Sequence, residues 1–348
     1  MSTTGAAALS RLAQNPECQI LGAMVMRGHS EKSFFEAVTG QAYDREFGER
    51  QSSRRRGAQF EKAAYDGDAL LLREALSDFI GLDAQDIRVE NLLDYFPGEK
   101  GDARIARLRA TRNILKSGPA QNGPHLVIQP QLLVPTKPGQ RPYFFIAPDI
   151  LVYDPSIDAY LAGDLKSFVV RENEVAASDL QRVRLQLAAQ NLGLTHEYSA
   201  VKRPIDLPAK GILIFSKPNG LRPHKPRIED LGGALEAVRL GIKAYIEHRG
   251  RIETLGGKAE PHTVVDDLDS HFQESCLSTC VMAQYCRAKH SDQAIDLGDA
   301  AAETLGGMSL TRLAELMKGE AQPLNENERA VLHQLAKLSG SKDGWKAA

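Results

Sequence analysis

Residues 143–166 read YFFIAPDILVYDPSIDAYLAGDLK, and this stretch decides the fold. Two apolar runs rich in aromatic and branched residues flank Asp154-Pro155-Ser156-Ile157-Asp158, a composition suited to a tight turn. The spacing predicts an antiparallel hairpin. A register that pairs Asp149 with Asp164 centres between residues 156 and 157, inside that turn. Residues paired across an antiparallel ladder share a face, as do residues two apart on one strand. Asp149, Asp164 and Lys166 are therefore expected on one side of the sheet.

Outward from the hairpin the same logic gives three consecutive strands, at residues 125–134, 143–153 and 160–170, read as an antiparallel meander. Helical spacing of apolar residues marks 31–40, 53–65, 69–79 and 103–116 before them and 172–192 and 228–248 after them. The almost wholly apolar segment 211–216, GILIFS, reads as a strand in a sheet centre. The order α-βββ-α-β is an α/β core. It lacks the strict βαβ alternation of a dinucleotide-binding fold.

The 348 residues are 42% apolar and 25% charged, an ordinary globular composition without long low-complexity tracts or repeats. No apolar run reaches the length that spans a bilayer, and the first residues lack the apolar centre of a signal peptide, so a cytoplasmic location without membrane partners is expected. The net charge of −2 excludes a globally basic nucleic-acid coater but not a local basic groove. Four cysteines in such a chain do not make a disulfide scaffold.

Two carboxylates and an ammonium on an apolar hairpin are costly to bury without partners, and a divalent cation removes the cost. Mg²⁺ is held by one or two carboxylates, with water and phosphate oxygens completing its shell. A nearby lysine can orient a water or stabilise charge on a phosphate. The plainer alternative is a surface hairpin with an ion pair. Glu61, on the early helix, is a candidate third carboxylate. Gln181 aligns with Leu185, Ala188 and Leu192 on the helix after the third strand, which points it inward; Gln186 competes for that role.

Glu61, Pro148-Asp149, Asp164-Leu165-Lys166 and Gln181, in this order, resemble the RecB-like branch of the PD-(D/E)XK nuclease superfamily. The resemblance implies a restriction-endonuclease-like core, a central mixed sheet flanked by helices, and a metal-dependent phosphodiesterase. It implies Mg²⁺ or Mn²⁺ on Glu61, Asp149 and Asp164, assistance from the Leu165 carbonyl, and catalytic roles for Lys166 and Gln181. The chain departs from the branch in two places. Many members carry a histidine in the first motif, where this chain has Gly57-x-x-Phe60-Glu61, and a tyrosine four residues after the glutamine, where it has Leu185.

Cys276, Cys280 and Cys286 fall within eleven residues, and Cys18 stands alone near the other end. Four thiolates suit zinc or an iron–sulfur cluster; four inert buried thiols are the alternative. The one-plus-three arrangement around the nuclease motifs resembles the iron–sulfur nucleases of the superfamily, of the CRISPR-associated exonuclease and AddB type. That resemblance implies a 4Fe–4S cluster forming a cysteine-ligated cap. The first gap of the triplet is three residues where two is usual.

Between Lys100 and Lys116 lie six basic residues and one acid; Lys217, Arg222, Lys225 and Arg227 form a second basic group and Arg54–Arg56 a third. These are candidate phosphate contacts. The sequence thus leads to a nuclease domain over 1–290 and a helical extension over 291–348. The expected activity is a DNA nuclease, an exonuclease before an endonuclease, acting on single-stranded or duplex ends in repair, CRISPR adaptation or phage defence beside a helicase or defence protein. The rival readings are a catalytically silent nucleic-acid-binding or assembly subunit, and an endonuclease stapled by Zn²⁺.

Overall fold

Pro130 and Pro148 sit near the middle of two of the apolar runs, and each interrupts one. Proline has no N–H to give to a ladder. In the computed structural model the described residues are 5–26, 31–43, 51–95, 102–119, 122–137, 140–167, 177–217, 220–256, 260–273, 275–289, 305 and 308–338. The helices are α1 (Ala6–Gln14), α2 (Gln19–Met26), α3 (Glu31–Thr39), α4 (Gln51–Ile80), α5 (Leu92–Tyr95), α6 (Asp102–Ser117), α7 (Ala177–Ala200), α8 (Gly232–Thr254), α9 (Cys276–Thr279), α10 (Ala283–Lys289), α11 (Leu310–Lys318) and α12 (Glu326–Leu338). The strands are β1 (Val89–Asn91), β2 (Leu126–Ile128), β3 (Leu132–Lys137), β4 (Gln140–Ile146), β5 (Ile150–Asp154), β6 (Ala159–Lys166), β7 (Lys210–Phe215) and β8 (Arg227–Asp230).

The expected three-strand meander is thus corrected to five strands. The run at 125–134 divides into β2 and β3 around Pro130, and the run at 143–153 into β4 and β5 around Pro148. The outer halves, β3 and β4, pair as a separate two-stranded sheet. The inner halves join a six-stranded sheet in the order β1-β2-β5-β6-β7-β8. Two of its pairings, β1 with β2 and β6 with β7, are parallel and the rest antiparallel, so the sheet is mixed. The two bends are tied together: Gln129 N donates to Asp149 O at 2.9 Å, and Gln131 Nε2 donates to Ile146 O at 2.6 Å.

The hairpin register is as expected. Pairing runs from Asp154↔Ala159 to Ile150↔Gly163, which leaves Asp149 and Asp164 next in line beyond the last pair. Strand β8 occupies the start of the segment expected to be helical from 228, and α8 begins only at Gly232.

Helices cover both faces of the six-stranded sheet. On one, Phe60, Ala64, Leu72 and Leu76 of α4 meet Leu126, Ile128, Ile150, Val152, Leu161, Leu165, Ile212 and Ile214. The other face carries α7: a Cβ placed on Gly211, next to Ile212 and so turned the opposite way, would lie 3.3 Å from Leu187. Helix α7 packs in turn on α1 and α8. The approach of α1 to α8 is close enough that a Cβ on Gly241 would lie 2.7 Å from the backbone nitrogen of Ala13. Helix α4 is two helical segments joined at Asp66–Ala69, where Gly67, Asp68 and Ala69 take left-handed φ values of 60°, 59° and 54°. The division falls between the two helices expected at 53–65 and 69–79.

The chain forms two compact units, residues 1–30 with 51–269 and residues 31–50 with 270–348. The second unit therefore takes in α3 and the cysteine segment together with the C-terminal helices. Its core gathers Leu305, Met308, Leu316 and Val331, with Leu310, Leu313, Leu332 and Leu335 around them. Ser309 caps α11 by accepting from Arg312 N at 3.0 Å, and Asn325 caps α12 by accepting from Glu328 N at 2.9 Å. Arg312 also grips the Glu328 carboxylate through Nε at 3.2 Å and a terminal nitrogen at 3.1 Å. Among the described residues no helix is long and apolar enough to cross a membrane.

Candidate metal centre

Asp164 and Lys166 are two residues apart on β6, so their side chains leave the same face of the strand. Asp164 is 3% exposed. The Lys166 ammonium lies 2.7 Å from Asp164 Oδ2, a buried ion pair. Asp149 lies in the bend just before β5 and not inside a strand as expected. There its Oδ2 accepts from Leu165 N at 2.7 Å, which fixes the carboxylate across the hairpin end.

Glu61 completes the group from α4. It is half-buried and close enough to interact electrostatically with Asp164 and Lys166. Burial pushes its carboxyl above the usual range; the Lys166 ammonium pulls it back, and Asp164 adds to the rise. Burial, then the facing Asp164, raise the Asp149 carboxyl well above that range, against the pull of Lys166 and with a contribution from Glu61. For Lys166 burial acts downward, but Asp164, Asp149 and Glu61 outweigh it and the ammonium is held more tightly than usual. Three carboxyl groups thus share one lysine, more acid than a single ammonium balances when all three are ionised.

Two residues of this centre carried no sequence signal. Tyr65, one helical turn beyond Glu61, donates its hydroxyl to Asp149 O at 3.3 Å and accepts from Gln129 Nε2 at 3.4 Å. Burial first and Asp149 second raise its phenol well above the ordinary value, so it remains a donor. The pair holds the Pro148 bend from below. Both become visible only when α4 and the two bends are seen side by side.

Gln181 does not face inward as expected. It is exposed, in the second turn of α7, ahead of the stretch that is buried on most sides from Val183. Gln186 is half-buried, and the glutamine this helix does bury is Gln190, at 2% exposure. The basic groups also divide. Arg104 and Arg107 line a cavity with Glu61, whereas Arg112 is spent on Glu197, with Nε 2.6 Å from its carboxylate. Lys225 pairs with Asp78 at 2.7 Å and Arg227 with Glu229 at 2.6 Å, while Arg222 is exposed. Lys100 and the side chain of Arg54 lie outside the described residues.

The cysteines form no disulfide. Cys18, Cys276 and Cys286 are buried and Cys280 is half-buried. Cys18 belongs to the first unit and the other three to the second. Among the described residues no three His, Cys, Asp or Glu side chains are gathered closely enough to enclose a metal ion. The four cysteines are not gathered in one place; by donor type alone, buried carboxylate oxygens suit Mg²⁺ or Mn²⁺ and reduced thiols suit iron or zinc. Compared with known proteins, the chain matches no family model and no curated protein sequence.

Proposed function

We propose that this chain is a metal-dependent DNA nuclease with a restriction-endonuclease-like core, of the RecB-like PD-(D/E)XK kind. The observation that carries the reading is the end of the β5–β6 hairpin. There Leu165 N fixes Asp149 at 2.7 Å, Lys166 lies 2.7 Å from Asp164, and Glu61 approaches from α4. The order of elements supports it: helix α4, the antiparallel strands β2, β5 and β6, helix α7, then β7 parallel to β6.

Glu61, Asp149 and Asp164 would hold the divalent ion, with the Leu165 carbonyl as a further donor. Such an ion, when bound, polarises a phosphoryl oxygen and lowers the pKa of water. The chain's own residues set up the rest. Lys166, kept protonated by the three acids, places a positive charge where a phosphate acquires negative charge in the transition state. Tyr65 and Gln129 hold the bend that carries Asp149. An excess of carboxyl groups over ammonium would favour a bound divalent cation.

The reading extends to an exonuclease acting on DNA ends, in repair, CRISPR adaptation or phage defence. Cys18, Cys276, Cys280 and Cys286 would then hold a 4Fe–4S cluster, with Zn²⁺ as the alternative. The visible spectrum of anaerobically purified protein separates the two, because a zinc site is colourless. The test of activity incubates wild type and Lys166→Ala with end-labelled single-stranded and duplex DNA, in Mn²⁺, Mg²⁺ or EDTA. Cleavage that needs the metal and is lost in the variant supports the proposal. Equal inertness in every condition leaves the silent binding subunit as the better reading.

A further inference from the structure

Beside Glu61 the first unit contains a cavity of about 430 Å³. Lys62, Tyr65, Arg104, Arg107 and Phe145 share its lining with Glu61. Its charge is lopsided, with three cations and one carboxylate on the walls. Arg104 and Arg107 are three residues apart on α6, so their side chains leave the same helix face. Arg107, 3% exposed, contributes to the cavity wall from the same side. A guanidinium fork matches the oxygens of a phosphate. Tyr65 and Phe145 add aromatic surface of the kind on which bases stack. The volume suits a single small ligand and not a stacked run of bases. Because Glu61 belongs both to this wall and to the acid cluster, the cavity opens directly beside the candidate metal centre.

We propose that the cavity is a nucleotide subsite. It takes one unpaired nucleotide of the strand being cut, with the phosphate on Lys62, Arg104 and Arg107 and the base against Tyr65 and Phe145. The proposal rests on the nuclease reading for its role, but its binding chemistry is independent of any cleavage. It follows that the protein recognises a nucleoside monophosphate and discriminates against the nucleoside.

The test is calorimetric titration of the full chain in EDTA with dTMP and, separately, with thymidine. Wild type is compared with Arg104→Ala and Lys62→Ala, both away from the buried core, and with Arg107→Lys, which keeps the charge and loses the fork. The expected result is binding of dTMP with thymidine at least ~30-fold weaker, and a loss of about tenfold for Arg104→Ala, the size of one charge-assisted hydrogen bond. A smaller loss is expected for Lys62→Ala. Equal binding of dTMP and thymidine, or unchanged affinity in both alanine variants, overturns the subsite. Metal-dependent DNA cleavage alongside that negative result removes the subsite and leaves the nuclease reading standing. Selective dTMP binding by a protein that cleaves nothing keeps the subsite and removes the nuclease.

Discussion

Glu197 and Asp164 are both buried carboxylates with a base beside them, at 0% and 3% exposure, yet their surroundings are built differently. On α7, Glu197 receives Arg112 Nε at 2.6 Å, a second Arg112 nitrogen at 3.3 Å and Leu133 N at 3.2 Å. One charge meets one charge, and both carboxylate oxygens are hydrogen-bonded. At the end of β6, Asp164 shares a single lysine with Asp149 and Glu61. A buried pair like the first ties α6 and the β3 strand to α7. A buried excess of charge like the second opposes folding. On the nuclease reading proposed above, its place in an otherwise consistent core is that of a site kept for chemistry.

The comparison is broken most sharply at Lys166. Lys166→Ala is expected to lower cleavage on the order of 10³-fold, as loss of one transition-state donor does elsewhere, far more than its fall in Tm accounts for, since it also strips the buried acids of their one cation; a gel assay of the folded protein and a melting curve on the same preparation check both. A large fall in Tm with proportionate activity would make Lys166 a second Arg112. The converse variant is Arg112→Ala. It leaves Glu197 buried with only the Leu133 amide among its described hydrogen bonds. The expected loss is about 3 kcal/mol in urea unfolding, at the low end for a broken buried pair because Arg112 is a third exposed.

Asp149→Asn sharpens the contrast with an effect of opposite sign. The amide oxygen can still accept from Leu165 N, while the uncompensated charge disappears. At pH 8 the variant is expected to melt about 2–4 °C higher than wild type, roughly 1 kcal/mol, and to be inactive. The pH dependence follows from linkage. An acid whose folded pKa is raised binds more protons in the native state, so stability falls as pH climbs from the ordinary carboxylate value through the raised one. The advantage of Asp149→Asn therefore shrinks toward zero on acidification, which melting curves between pH 4 and 8 will show.

The smallest effect lies in the second unit. Arg312, first among its causes, and the Leu324 amide hold the Glu328 carboxyl below its ordinary value. Its contribution is present above about pH 4.5 and is lost as pH falls further, the reverse of Asp149. Glu328→Gln should weaken the α11–α12 pair by about 0.5–1 kcal/mol at neutral pH, with no difference from wild type at pH 3, read by limited proteolysis of the C-terminal helices.

The sequence made parts of this legible because local chemistry and tertiary structure agree there. The turn at 154–158 sets the hairpin register, and the register brings Asp149 and Asp164 together. The Asp66-Gly67-Asp68 break separates the two segments of α4. Misreadings arose where one periodicity stood in for three dimensions. The runs at 125–134 and 143–153 have unbroken apolar character, and only the missing N–H of Pro130 and Pro148 divides them. Gln181 continues an apolar stripe but precedes the buried stretch of α7 and is exposed. Arg112 looked like part of a basic surface group because its partner, Glu197, is 85 residues away in the chain. Gln129 and Tyr65 act through backbone oxygens and hydroxyls, which leave no pattern in a sequence.

The central claim is that the excess of carboxylate at the hairpin end is a divalent-cation site. Calorimetric titration of Mn²⁺ into metal-free wild type and into Asp164→Asn tests it directly. Saturable binding by wild type that also raises its Tm, and that falls at least tenfold in the variant, is the predicted result. Equal binding by the two proteins, or none by either while both remain folded, would contradict it.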